Sequence, residues 1–232
     1  MKSVLVTGGT TRLGKAIADF LRSAGWRVLT TSHRADAAAD ILADFSTPLG
    51  PARAYAEALR LLGGNPPDAL VNNAALFAGD AATLEAVNFT APQKLTILMA
   101  GRETGRGSVV NILDSRILGW GQAPQGDGER SPRTPPAEGE QISSYESAKL
   151  RLLEETRRFA QLFAATLRVN AVAPGPVLAP VGVHARAGET LVGRPTPEDV
   201  ARAVAYLLDA KATTGAILPV DGGQSLCSSA CL

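Results

Sequence analysis

Along the 232-residue chain, short apolar and β-branched runs alternate with longer Ala/Leu/Arg segments whose apolar positions recur at helical spacing. The strand candidates are residues 3–7, 27–31, 40–43, 69–71, 108–113, 166–170 and 216–220. Helical segments fall at 12–24, 51–62, 83–100, 144–164 and 197–208, the last opening on Thr196-Pro197-Glu198, a cap followed by proline. Strands written as continuous apolar runs are covered on both faces, which calls for crossover helices and a parallel sheet. The pattern therefore predicts an α/β chain, one doubly wound seven-stranded parallel sheet over residues 1–232, with helices on both faces.

One segment breaks the rhythm. GWGQAPQGDGERSPRTPPAEGE, residues 119–140, holds five glycines and four prolines and almost nothing apolar, so a mobile insertion is expected at about 119–141. Insertions of this length serve as functional lids or are disordered.

Composition and charge narrow the partners. With 45% hydrophobic residues the chain can bury roughly 70% of the surface it exposes when unfolded. Its 23 basic and 22 acidic side chains leave a formal charge of +1, which supplies no field to draw nucleic acid or an anionic membrane. Small-molecule ligands are the expected partners. No apolar run approaches the ~20 residues of a membrane helix, and MKSVLVTGG passes directly into a strand pattern without a signal-peptide core, so a cytoplasmic location is expected. Cys227 and Cys231 are too few and too terminal for a disulfide framework, and no histidine stands close enough to them to suggest a metal site.

The first strand runs into TGGTTRLG, residues 7–14, and then into a helix. Gly8 permits a tight turn, Gly14 permits close packing of helix on strand, and the N–H groups around Thr11, Arg12, Leu13 and Gly14 offer a positive helix end to a pyrophosphate. The dinucleotide pattern normally carries glycine where Arg12 stands. The second strand ends in His33-Arg34 rather than in a carboxylate. A carboxylate suits a ribose 2′-hydroxyl and repels a 2′-phosphate, which an arginine binds, so NADPH is the expected cofactor.

In SYESAKL, Tyr145 and Lys149 stand four apart on a helical segment and share one face. Bringing a phenol from a pKa of about 10 to about 7 takes roughly 4 kcal/mol of phenolate stabilisation. An ammonium about 4 Å away supplies roughly that at an effective dielectric of about 20. A phenol so tuned can give a proton to a carbonyl or imine as hydride arrives.

TGGTTRLG, the NNA of residues 72–74, Asn88, the strand ending at Asp114, YESAK, the APGPV of residues 173–177 and the VDGG of residues 220–223 follow one another in the order and rough spacing of the short-chain dehydrogenase/reductase family, which the chain resembles along essentially its whole length. The resemblance implies a Rossmann fold with Tyr145 as proton donor, Lys149 holding the nicotinamide ribose and lowering the phenol pKa, and Asn88 supporting a water-linked proton relay. It further implies that Asp44 and Phe45 flank the adenine, that Asn72, Asn73 and Ala74 line the cofactor, and that Pro174, Gly175 and Val177 lie along the nicotinamide. Family members are usually tetramers or dimers, so a homo-oligomer is expected.

Most members carry a catalytic serine three residues after the strand asparagine; counting three from Asn111 lands on Asp114, with Ser115 one residue too late. Consecutive strand side chains face opposite ways, so a one-residue slip aims Ser115 away from Tyr145 and leaves the carboxylate as the site group. Aspartate there, with Arg12, His33-Arg34 and an aromatic at Phe77, resembles the pteridine reductase and dihydromonapterin reductase branch. By that resemblance Arg12 contacts phosphate and substrate, Arg34 takes the 2′-phosphate, Phe77 stacks on a flat substrate, and Asp114 works with Tyr145 on ring nitrogens.

The chain departs from the branch at Ala75, which lacks a serine hydroxyl, in the extra length between Asp114 and Tyr145, and in LAPVGVHARAGETLVG, the expected substrate lid at about 177–194 with a solvated His184. The reading is an NADPH-dependent reductase of a pterin-like nitrogen heterocycle. A carbonyl reductase of 3-oxoacyl thioesters or small ketones is the same-fold alternative. A cofactor-sensing protein without chemistry is the alternative of another class, opposed by Tyr145, Lys149 and Asn88 together.

Overall fold

The computed structural model describes residues 1–35, 37–103, 105–118, 143–177 and 190–226. The Gly/Pro-rich insertion, most of the expected lid, His184, Cys227 and Cys231 lie outside the described residues.

Seven strands form one parallel sheet: β1 (Ser3–Val6), β2 (Arg27–Ser32), β3 (Ile41–Leu42), β4 (Ala69–Asn72), β5 (Gly107–Ile112), β6 (Leu167–Pro174) and β7 (Ile217–Val220). Their order across the sheet is β3-β2-β1-β4-β5-β6-β7. The chain winds outward from β1 through β2 to β3, then returns to the other side of β1 with β4, so the switch point lies between β1 and β4. Ligands of such sheets bind in the crevice beyond the carboxyl ends of the two strands that flank that point.

Successive strand residues feed two cores, as the pleat requires. Leu5, Leu29, Leu70, Val109 and Val169 face α2 (Gly50–Leu61), α4 (Ala91–Ala100) and α5 (Ser144–Leu162). Val4, Val6, Val28, Val71, Val110 and Val172 face α1 (Arg12–Ser23) and α6 (Pro197–Asp209). The continuous apolar runs read from the sequence are these two alternating faces. No helix among the described residues is long and apolar enough to cross a membrane.

Two predicted elements differ from those found by more than a residue or two at an end. The helix predicted over 83–100 is three pieces: α3 (Ala81–Glu85), a π-helical stretch Ala86–Thr90, and α4. Asp80 starts it by accepting from Thr83 N at 2.9 Å. The strand predicted over 166–170 runs on to Pro174, because β7 continues to pair beside it, Ala173 with Pro219 and Pro174 with Val220.

Reciprocal caps open two of the helices. Ser143 and Glu146 form a reciprocal capping box at the start of α5, and Thr196 and Asp199 form another at α6, with Pro197 in its first turn. At the far end of α6, Arg168 on β6 is only 7% exposed and donates to the carbonyls of Leu207, Leu208, Ala210 and Thr213. One guanidinium thus serves carbonyls that the end of a helix leaves without intrahelical donors.

Candidate active site

The turn after β1 is built for close approach. Gly8 has φ +62°, and a Cβ on Gly14 would lie 2.1 Å from the Gly8 carbonyl oxygen. Gly8 N donates to Thr31 Oγ1 at 3.1 Å, which ties the turn to β2. Thr11 starts α1 in extended conformation without a side-chain cap, so the N–H groups of that first turn face the crevice without a side-chain acceptor from Thr11. Arg12, at the position where glycine is usual, is the non-glycine residue with positive φ, +49°, among the described residues. A conformation that costs an L-residue roughly 1 kcal/mol is kept here with a long cationic side chain. Beside the turn a cleft of about 360 Å³ is lined by Gly9, Thr10, Thr11, Lys15, Thr30 and Arg34. Arg34 is exposed where it lines the cleft, and His33 before it is also exposed. A glycine cradle, an open helix N-terminus and an arginine-lined cleft fit a dinucleotide that carries an additional phosphate.

The residues after β4 support this cradle rather than face a ligand with their side chains. Asn73 donates from Nδ2 to the carbonyls of Thr7 and Gly8 at 3.0 and 3.3 Å. Thr7 Oγ1 accepts from the N–H groups of Asn73 and Ala74. Asn72, expected to line the cofactor, points into the core: it is 2% exposed, and its Nδ2 donates to Asn111 Oδ1 at 2.8 Å. Phe45, expected beside the adenine, is likewise buried, at 6% exposure, in the core under α2, because an aromatic ring gains more from that apolar contact than from the rim. Asp44 accepts from Ser46 N and Oγ, bonds that hold its carboxyl below the ordinary value. Pro174 ends β6, Gly175 N donates to Val220 O at 3.0 Å, and Val177 packs against the α1/α6 core.

The acid–base groups meet past the ends of β4 and β5. Tyr145 stands in the first turn of α5, and its hydroxyl donates to Asp114 Oδ2 at 3.2 Å. Asp114 accepts from Arg116 N at 2.9 Å, from Arg116 Nε at 3.1 Å and from Arg116 Nη2 at 2.8 Å. The first of these bonds is an aspartate turn that opens the short 3₁₀ segment Ser115–Ile117. Ser115 points the other way: it is 1% exposed and donates from Oγ to Gln224 Oε1 at 2.9 Å. Phe77 is 70% exposed, with its ring centroid 5.0 Å from that of Tyr145 and tilted 35°.

Lys149 is 2% exposed and donates from Nζ to Ile112 O at 2.8 Å, with Nζ 5.8 Å from the Tyr145 ring centroid. Burial brings its ammonium down to about 8, the Asp114 charge opposing the fall. Tyr145 is shifted upward from its ordinary value, by burial first and then by the Asp114 charge, with Arg116 pulling the other way. The expected lowering by Lys149 is therefore not what the protein's own groups produce, because burial and then the bonded carboxylate both favour the protonated phenol, while the ammonium is bonded to Ile112 O instead. Burial also works to raise Asp114, but the bonds and charge of Arg116, with the Tyr145 hydroxyl, outweigh it and hold the carboxyl below its ordinary value. Asn88, expected in a proton relay, sits in the π-helical stretch, and its side chain is occupied by Leu76, accepting from Leu76 N at 3.1 Å and donating to Leu76 O at 2.8 Å. Any part in a relay falls to its main chain.

Arg116 and Gln224 are site residues that motif spacing missed. Asp-x-Arg at a strand end carries a local signal for the first, since the side chain of an aspartate commonly caps the turn after it. Nothing local marks Gln224, which reaches Ser115 across 109 residues of chain.

A hydrogen-bonded tyrosine and carboxylate past the strand ends of a doubly wound sheet, with a glycine-rich turn opening a helix after β1, is the layout of a dinucleotide-dependent oxidoreductase. A family model described as Enoyl-(Acyl carrier protein) reductase matches residues 137–225. The chain is 32% identical to the granaticin polyketide synthase putative ketoacyl reductase 2 of Streptomyces violaceoruber, over 96% of this chain and 95% of that one. It is 28% identical to FolM alternative dihydrofolate reductase 1 from Brucella canis, solved complexed with NADP, with a TM-score of 0.76 over 98% of this chain and 96% of that one. A blue fluorescent protein from a metagenomic library, solved in complex with NADPH, is also 28% identical, with a TM-score of 0.78 over 96% and 97% of the two chains. The chain belongs to the short-chain dehydrogenase/reductase family.

Proposed function

We propose that the protein is an NADPH-dependent reductase of a flat nitrogen heterocycle of the pterin type. The observation that carries the reading is the carboxylate of Asp114 at 3.2 Å from the Tyr145 hydroxyl, with the neighbouring alcohol of Ser115 turned to Gln224. A carboxylate accepts N–H groups, which such heterocycles present and simple ketones do not. The exposed Phe77 ring offers a stacking face next to it. The likeness to an alternative dihydrofolate reductase supports the reading.

When bound, the reduced nicotinamide supplies hydride to a C=N carbon of the substrate. Tyr145 gives the matching proton to the nitrogen. As its hydroxyl turns from Asp114 to that nitrogen, one acceptor position opens on Oδ2 and can take a substrate N–H. With the cofactor bound, Lys149 would hold the nicotinamide ribose, Arg34 the 2′-phosphate, and Arg12 the pyrophosphate and the substrate edge. A ketoacyl reductase relative favours a second reading, reduction of a 3-oxoacyl thioester, in which Asp114 only orients the substrate.

Asp114→Ser separates the two. Dihydropterin turnover is expected to fall by about 100-fold or more, while any oxoacyl activity persists or rises. A steady-state panel of dihydrobiopterin, dihydromonapterin, dihydrofolate and an oxoacyl thioester with NADPH reads this; full dihydropterin turnover in the variant would refute the heterocycle reading. Arg34→Ala is expected to weaken NADPH by about 10-fold or more while changing NADH by less than about threefold, since only the former has the phosphate the guanidinium binds. Fluorescence titration with each cofactor measures the ratio, and equal losses would remove Arg34 from that role.

A further inference from the structure

Asp114 is an anion whose acceptor positions are taken by the protein itself. Its two oxygens have about four such positions. Oδ1 receives Arg116 N and Nε, and Oδ2 receives Arg116 Nη2 and the Tyr145 hydroxyl. The guanidinium lies edge to edge with the carboxylate in a two-bond fork, and its Cζ is 5.7 Å from the Tyr145 ring centroid.

That arrangement answers a difficulty of charge. A phenol that loses its proton next to a carboxylate becomes the second of two adjoining anions, which Coulomb repulsion opposes. Lys149, bonded to Ile112 O, supplies one positive charge nearby. Arg116 supplies the other. With both present, the proton transfer takes the group of Asp114, Tyr145, Arg116 and Lys149 from a net single positive charge to neutrality; with Lys149 alone it would end as a net anion.

We propose that Arg116 is a positioning residue of the reduction: its guanidinium fixes Asp114 as an ionised acceptor against Tyr145 and balances the carboxylate, so that the phenol can give up its proton. The proposal rests on the reductase reading above. Among the described residues, the charged and titratable groups around Asp114 are Arg116 from its own turn and Tyr145, Glu146 and Lys149 from α5; Glu146 is engaged with Ser143 in the helix cap and acts on the cluster through its charge on Arg116. The Arg116 side chain is 46% exposed, against 16% for Asp114. Its removal therefore opens no core cavity, and the loss should fall on the chemistry rather than on the fold.

The test uses Arg116→Gln and Arg116→Lys in the full chain, each alone and combined with Asp114→Asn. Arg116→Gln is expected to lower kcat by about 30-fold or more, with KM and the NADPH dissociation constant within about twofold. Its acid limb in the kcat profile should rise by about one pH unit or more, because the carboxylate loses the bonds that favour its charge. Arg116→Lys should recover part of kcat, having charge without the fork. In the Asp114→Asn background, Arg116→Gln should change kcat by less than about threefold, since Lys149 alone then balances the phenolate. Carbon-13 NMR of the Asp114 carboxyl, assigned through Asp114→Asn, should show the same rise in midpoint without any turnover. An unchanged midpoint and profile in Arg116→Gln, or an equal loss of kcat in both backgrounds, would overturn the proposal. A wild-type protein that reduces nothing in the substrate panel would count against the reductase reading, while the carboxyl midpoint still decides whether Arg116 holds Asp114 ionised.

Discussion

Tyr145→Phe is expected to lower kcat by about 10²–10⁴-fold, the range in which a positioned proton donor contributes. In free energy that is roughly 3–5 kcal/mol of transition-state stabilisation. The substitution removes one oxygen and little else. The ring remains against Phe77 at a 5.0 Å centroid separation, and Arg116 continues to bond both oxygens of Asp114, so no buried charge is stranded. Lys149 bonds Ile112 O rather than the phenol, so the cofactor side of the crevice keeps its shape. NADPH binding should accordingly change by less than about threefold. Steady-state kinetics beside a fluorescence titration of NADPH give both numbers. A variant that keeps more than about a tenth of the wild-type kcat would remove Tyr145 from the proton-donor role.

Arg168→Met is expected to cost about 3 kcal/mol of stability, a drop of roughly 6–12 °C in Tm for a chain of this size. Methionine keeps much of the apolar stem and none of the donors. The carbonyls of Leu207, Leu208, Ala210 and Thr213 lose the guanidinium that they share, and Leu207 and Leu208 are 1% and 3% exposed, so water cannot freely replace it. Arg168→Lys should recover only part, since a single ammonium cannot span acceptors laid out for a planar fork. Differential scanning calorimetry decides between these outcomes, and a fall below about 2 °C would mean that the end of α6 does not depend on Arg168.

The fold was largely legible because two cores share one sheet. Each strand is mostly apolar on both faces, which writes the runs Val4-Leu5-Val6 and Val109-Val110 directly into the sequence. The break in the predicted helix over 83–100 left no such mark. A π-helical stretch inserts one extra residue without changing which side chains are apolar, and it holds Asn88, whose side chain bonds the backbone of Leu76. The site divides along the same line. Tyr145 and Lys149 are related by helix spacing and Asp114 by strand spacing, and periodicity carries all three. The upward shift of Tyr145 comes from its burial first and then from the Asp114 charge beside it, and spacing is silent on both. Arg116 and Gln224 act through a turn and through packing of the chain end, where no periodicity operates.

One buried contact far from the chemistry sets how accurately the chemistry is aimed. Asn72 Nδ2 donates to Asn111 Oδ1, and Asn111 Nδ2 donates to Thr156 Oγ1 at 2.9 Å, joining β4, β5 and α5 by amides inside a largely apolar layer. Leucines and alanines would let α5 settle at several neighbouring offsets of similar free energy, whereas a hydroxyl that must find one amide works as an indexing pin. Tyr145 lies three helical turns up the same rod. The pin therefore transmits its alignment to the phenol, and a site graft onto another scaffold that copied Asp114, Tyr145 and Lys149 but left out Thr156 would inherit the reagents without their registration.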